Sequence, residues 1–159
     1  KTSYVHPQAT IIGDVEIADG CFIGAGAVLR GDFGKISIGR GTSIQENCVI
    51  HVGGGEGIVS IDSDVIIAHG AILHDATIKS YVLVGMGSIL MSGVVCEDHV
   101  MIAAGSIVKE NFHIPPNVVV AGNPARIVKP LSDDQRKRIY QGVKTYQDLV
   151  KRYKKPNGR

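Results

Sequence analysis

Apolar residues recur at every sixth position through most of this chain. They fall in four phased blocks: Val5, Ile11, Ile17, Ile23 and Leu29; Ile38, Ile44 and Ile50; Ile61, Ile67 and Leu73; then Ile78, Val84, Leu90, Cys96, Ile102 and Val108. A helix would place them three and four apart and an ordinary strand would alternate by two, so a bare period of six fits neither. It is the mark of a solenoid built from internal repeats. Each unit supplies a short strand and a turn, three units close one coil, and the apolar residue points into a narrow interior shared with the coils above and below. Successive coils advance about 4.8 Å, the strand spacing of any sheet. Twenty glycines, 5% aromatic residues and no Trp suit many short strands joined by tight turns. The expected class is all-β.

The breaks in period locate insertions, because extra residues can bulge outward without disturbing the stack. Leu29 to Ile38 spans nine residues, which predicts about three looped out near Gly31 to Lys35. Ile50 to Ile61 spans eleven, which assigns about five to the run from Gly53 through Glu56 to Gly57. Leu73 to Ile78 spans five, a shortening by one. With these shifts removed, Leu29, Ile50, Leu73, Leu90 and Val108 form one column, and the residues after them, Arg30, His51, His74, Met91 and Lys109, form a second.

His51 and His74 are therefore equivalent positions on adjacent coils, about one strand spacing apart. That is close enough to share a metal ion bound at about 2.0 to 2.1 Å. His69 stands two residues after Ile67, in a different slot, and does not join them easily within one chain. A single histidine in a β core is ordinarily a packing residue; here two stacked histidines and a third five residues before the upper one argue for ligands. His6, His99 and His113 share none of these relations and read as surface or turn residues. Cys21 and Cys48 fall in a slot otherwise held by small residues and Cys96 in the apolar slot itself, so all three read as core.

The repeat is expected to stop after Val108, with an extended cap over Phe112 to Asn117 and a turn over Ala121 to Ala125. Ser132 and Gln135 then form a capping-box start, and Ile139, Val143, Tyr146, Val150 and Tyr153 follow at helical spacing. Residues 1–130 make up the coil domain with its cap, and 131–159 an amphipathic helix and tail that lies against the stack or a neighbouring subunit.

Charge narrows the function classes. The tail from Ser132 holds nine Lys/Arg and three Asp/Glu, leaving eight basic against twelve acidic residues elsewhere. A nucleic-acid-binding body needs a basic face on the folded domain, so no such partner is expected. Three cysteines without a CxxC spacing form neither a disulfide framework nor a thiolate site. No apolar run approaches the ~20 residues of a membrane span. The expectation is a soluble, cytoplasmic protein without a membrane partner.

The repeat resembles the isoleucine-patch hexapeptide proteins, which implies a single-stranded left-handed parallel β-helix with a C-terminal α-helix. Within that group, Arg30-Gly31-Asp32, Ile44-Gln45-Glu46-Asn47, Val49-Ile50-His51 and His69-Gly70-Ala71-Ile72-Leu73-His74 resemble the motifs of γ-class carbonic anhydrases. The resemblance implies a homotrimer with one divalent ion per chain, Zn2+ first and Fe2+ or Co2+ as alternatives. His51 and His74 would come from one subunit and His69 from its neighbour. Three imidazoles leave a zinc-like ion an open position, where water has a pKa of about 7 and supplies hydroxide to carbon dioxide. By resemblance Gln45 orients that hydroxide, and Arg30 and Asp32 form an ion pair between subunits. Asp75 reads equally as support for His74 or as a solvated turn. Phe33 stands where the archaeal prototype has an acidic proton carrier, and the short loop offers only Glu56 for that work. Tyr146 or Tyr140 of the helix is a candidate to line the site.

A second likeness runs through Leu29-Arg30-Gly31-Asp32-Phe33-Gly34, Ile114-Pro115-Pro116, Val120 to Ala125 and Thr145-Tyr146-Gln147-Asp148-Leu149, to the hexapeptide proteins of phenylacetate degradation. That family implies hydrolysis of an acyl-CoA thioester by the same metal-dependent machinery. The small-molecule substrate is thus carbon dioxide or, as the alternative, an acyl-CoA. A metal-free hexapeptide acyltransferase and a non-catalytic assembly subunit are the further readings.

Overall fold

The computed structural model describes residues 2–55 and 57–154 and shows a parallel β-helix of triangular section, closed along one side by helix α1, Asp133–Tyr153. The first face stacks Tyr4–Val5, Phe22–Ile23, Ser43–Ile44, Ile66–Ile67, Leu83–Val84, Met101–Ile102 and Val118–Gly122, all parallel. The second carries Val49–His51, Ile72–His74, Ile89–Leu90 and Ile107–Val108 above the opening residues of Val28–Ile38. The third carries Val59–Ile61, Thr77–Ile78, Val95–Cys96 and His113–Ile114 above the closing residues of that strand.

The predicted columns are the observed ones. Leu29, Ile50, Leu73, Leu90 and Val108 pair in register and are fully buried, as are Ile23, Ile44, Ile67, Val84 and Ile102 on the first face. Each such side chain contributes roughly 1.5–3 kcal/mol of transfer free energy, and the repetition is what holds so narrow a tube together. Val5 and Ile11 lie in the same columns, at the end of the described stack, and are 40% and 41% exposed. Between the first and second faces the chain turns at Gly26, Asn47, Gly70, Gly87 and Gly105, all with φ between 59° and 69°. That left-handed backbone selects Gly, or Asn as the best tolerated alternative, in this one slot.

The insertion after Leu29 takes a different form from a loop. Val28–Ile38 is one unbroken strand beside Thr10–Ile17, and the four residues Asp32 to Lys35 stand opposite the single residue Asp14. Three extra residues are thus absorbed as a bulge at the corner. The run after Val52 does leave the coil, bending at Gly54 and Gly55; Glu56 lies outside the described residues.

The expectation that the repeat ends at Val108 is corrected. His113–Ile114 pairs in parallel with Val95–Cys96, and Val118–Gly122 with Met101–Ile102, so Ile114 and Val120 continue the sixfold spacing as fully buried residues. Prolines at 115 and 116 obscured this, but they occupy the corner and leave both strands free to pair. Nor is Ala121 to Ala125 only a turn: it leads into Ala125–Pro130, an antiparallel strand that reverses the chain through the cis Asn123–Pro124 bond.

Helix α1 begins as the sequence predicts, with Ser132 and Gln135 forming a reciprocal capping box. Ile139 and Val143 pack with Ile66, Val119 and Leu131 on the outer side of the first face, and Tyr146 and Tyr153 lie against Phe22. The outward residues of that face beneath the helix, Phe22, Ile66, Leu83, Met101 and Val119, are apolar apart from the buried Ser43. Among the described residues no helix is long and apolar enough to cross a membrane.

Candidate metal centre

The second face carries a histidine-bearing structure at each end. At its far end, His51 pairs in register with His74, and the two rings are 5.0 Å apart between centroids. Nε2 of His51 is buried without a hydrogen-bond partner; Asp32 Oδ1 is 3.5 Å away. His74 is held by its other nitrogen: Nδ1 is 2.9 Å from Ser92 Oγ and 3.0 Å from Asp75 Oδ2. Phe33 stands edge-on to His51 at 6.3 Å and is 60% exposed. The bulge that carries Phe33 also places Arg30 2.7 Å from Asp32 Oδ2 within one chain. Desolvation pushes the Asp32 carboxyl up, but the hydrogen bond and charge of Arg30 outweigh it and hold the group below the usual carboxylate range.

At the near end, His69 stands at the corner immediately before Gly70, where the chain enters the second face. Its Nδ1 is 2.6 Å from Glu46 Oε2, which leaves Nε2 as the nitrogen not engaged by that carboxylate. Beside it opens an apolar slot of about 380 Å³ lined by Gln45, Leu83, Met86, Met101 and Tyr146 among others. Gln45 is 4% exposed. The Tyr146 phenol is pushed up by desolvation and then by the negative charge of Glu46, so it stays a neutral hydrogen-bond donor.

His69 and His74 are five residues apart along an extended face, a separation on the order of 15 Å. Among the described residues no three His, Cys, Asp or Glu side chains of one chain stand close enough to hold a metal ion. The structure thus brings His51, His74 and Asp32 together at one end, and His69, Gln45 and Tyr146 at the other. Tyr140 joins neither: it sits against Tyr81 and gives or accepts a 2.9 Å hydrogen bond with His99 at another corner.

Two supporting residues escaped the sequence reading. Glu46 follows Ile44 by two, as His69 follows Ile67, so the same column arithmetic places it directly beneath His69. Ser92 follows the column residue Leu90 by two, as Asp75 follows Leu73, so it occupies the slot above Asp75.

The donor set fits a metal ion. One imidazole has a buried, unpartnered Nε2, and two others have Nδ1 engaged by carboxylates with Nε2 left over, the arrangement in which histidine binds metal through one nitrogen and is steadied through the other.

Several known proteins resemble this chain. Residues 1–31 match the family described as bacterial transferase hexapeptide (six repeats). The chain is 41% identical to "Gamma carbonic anhydrase 2, mitochondrial" of Arabidopsis thaliana over all of its own length and 59% of that protein's, so it spans about three-fifths of the plant relative. It is 40% identical to the carnitine operon protein CaiE of Escherichia coli (strain K12), over 95% of this chain and 76% of that one. Among solved structures, a hexapeptide transferase family protein from Anaplasma phagocytophilum superposes with a TM-score of 0.85 at 35% identity, covering 95% of this chain and 92% of the other. The fold, the repeat and these likenesses together place the chain in the γ-carbonic-anhydrase-like family of hexapeptide-repeat proteins.

Proposed function

We propose that this protein is a metal-dependent carbonic anhydrase of the γ class, which hydrates carbon dioxide reversibly at sites between the subunits of a homotrimer. The observation that carries this is the buried, unpartnered Nε2 of His51 beside His74, with a third histidine, His69, out of reach on the same chain. A site whose parts lie at opposite ends of one face is completed when the near end of one copy meets the far end of the next. Such a head-to-tail contact closes into a ring when the rotation per copy permits. Outward side chains of the second face suit burial in that contact: Val49 and Ile72, side by side in register, are 36% and 39% exposed.

In this reading His51 and His74 hold a divalent ion together with His69 of the partner subunit. Zn2+ is the first choice, and imidazole ligation also suits Fe2+ and Co2+. Such an ion, with three imidazoles and one open position, lowers the pKa of water to about 7 and so supplies a nucleophile at neutral pH. The chain's own residues do the rest. Gln45 orients that nucleophile with its amide, the neutral Tyr146 phenol donates a hydrogen bond from the slot wall, and Phe33 narrows the approach to His51. Arg30 and Asp32, paired within the chain, are positioned to bridge to a neighbour as well. Glu56 remains the proposed carrier of the released proton. The three buried free thiols support a reducing, cytoplasmic setting.

One observation favours a second reading. The apolar slot beside His69 has room for more than carbon dioxide, and the same activated water attacks a thioester carbonyl, so hydrolysis of an acyl-CoA is the alternative. Metal content together with sedimentation, followed by stopped-flow hydration and acyl-CoA cleavage on the same preparation, separates these outcomes. The first reading requires about one ion per chain in a trimer and hydration that His69→Ala abolishes. Turnover that persists in His69→Ala would remove both metal mechanisms.

A further inference from the structure

We propose that Asp75 is a positioning residue: seated on the glycine-rich run that follows His51, its carboxylate fixes His74 in the Nδ1–H tautomer, so that Nε2 carries the lone pair offered to a metal ion. The inference rests on the metal-centre reading above and adds a supporting residue to it.

The position of Asp75 follows from the one-residue shortening between Leu73 and Ile78. The tightened corner puts Asp75 at φ 47°, a left-handed conformation that Asp tolerates better than most residues. The side chain lies against the neighbouring turns, with only 17% of it exposed. The carboxylate accepts from two donors and stands against the imidazole. Oδ1 accepts the Gly53 N–H at 2.8 Å, Oδ2 accepts the Ser92 hydroxyl at 3.2 Å, and Oδ2 is 3.0 Å from His74 Nδ1. An ionised carboxylate accepts only, and the Ser92 hydroxyl, its proton committed to Oδ2, also presents a lone pair to Nδ1 at 2.9 Å. With acceptors on both sides of it, Nδ1 of a neutral His74 must carry the proton, and Nε2 is bare.

The glycines make room for this pair. A Cβ at Gly53 would come 2.7 Å from His74 Cε1 and 2.8 Å from Asp75 Oδ2, and one at Gly57 would press on Asp75 Oδ1. A run that the sequence presents as an insertion is thus, at its two ends, a cradle for the carboxylate and the imidazole. At the other end of the face, Glu46 does the corresponding work for His69 with a single contact.

The test is Asp75→Asn, which keeps the shape but replaces one acceptor by an NH2 donor. In the metal-free protein, at a pH well above the ordinary histidine pKa of about 6.5, ring 15N NMR reads the tautomer of each histidine. The expected result is Nδ1–H for His74 in the wild type and a shift towards Nε2–H in Asp75→Asn, with His69 unchanged. Zn2+ affinity should fall about 10- to 100-fold. Ser92→Ala, which leaves the carboxylate in place, should keep the Nδ1–H form. An unchanged tautomer and unchanged affinity in Asp75→Asn would overturn the proposal, as would a tautomer that Ser92→Ala alone reverses. Wild-type protein that takes up no Zn2+ would instead overturn the metal-centre reading, and the tautomer measured without metal would still decide the role of Asp75.

Discussion

The two ends of the second face are built to different standards of finish. At the far end two imidazoles stack in register, Asp75 and Ser92 grip one of them, Asp32 stands near the other, and the side chain of His51 is 17% exposed. At the near end a single imidazole, its side chain 49% exposed, is tethered by Glu46 alone and borders an apolar slot. One end is held by several contacts and the other by one, as expected of a site that a partner subunit would complete in the proposed assembly. The difference teaches where each property of the proposed site would reside: affinity in the rigid pair, and dependence on assembly in the exposed single histidine.

The sharpest way to break this comparison is complementation. His69→Ala and His74→Ala should each bind no metal as pure proteins. When they are mixed and reassembled, about a quarter of the interfaces join an intact far end to an intact near end, so metal and hydration should both reappear in that proportion. No recovery in properly mixed trimers would show that the two ends do not meet. Next in size is Gln45→Leu, a near end change that removes the amide and preserves volume. It should retain the metal and lose about 100-fold in kcat, the usual cost of one aligned polar group; an unchanged kcat would remove Gln45 from the chemistry.

A smaller effect probes the support beneath His69. The Cys48 thiol donates to the Ala68 carbonyl at 3.1 Å, and burial pushes it from 9.0 up to about 11. Because the folded-state value is the higher one, its contribution to stability is complete below pH 9 and is lost as pH rises towards 11, on the order of 2 kcal/mol in all. The wild type should therefore lose Tm across that window, and Cys48→Ala should lose less; parallel curves would mean that the thiol is not the titrating group. The smallest expected change is Tyr146→Phe, which keeps the packing against Phe22 and removes one hydroxyl. A kcat lowered by no more than about 10-fold fits loss of one hydrogen bond, whereas a rise in KM alone would assign Tyr146 to binding.

Much of the coil was legible because its physics is one-dimensional. A fixed period sets which residues stack, so the register of Leu29, Ile50 and Leu73, and with it the pairing of His51 and His74, follows from counting. The separation of His69 from that pair follows in the same way. Counting failed where the signal was chemical. Pro115 and Pro116 read as the end of the repeat, yet they turn a corner between two paired strands. The strand Ala125–Pro130 carries no sixfold mark because it runs antiparallel and its inward partners lie on one strand only. Ser92 and Glu46 were reachable by column arithmetic, but a polar or charged residue at a corner gives no sign in sequence of the side chain it will meet.

The reversal between Gly122 and Ala125 also bears on how the molecule coexists with copies of itself. A parallel stack of in-register strands is a template, and an unfinished rung invites another chain to extend it into a fibre. Ala125–Pro130 lies across the last rung of the first face in the opposite sense and ends in a proline that has no N–H to donate. A further rung would have to displace it before another chain could extend this end of the face. The hairpin is therefore a cap in the literal sense: it closes the exposed hydrogen-bonding edge of the stack at this end.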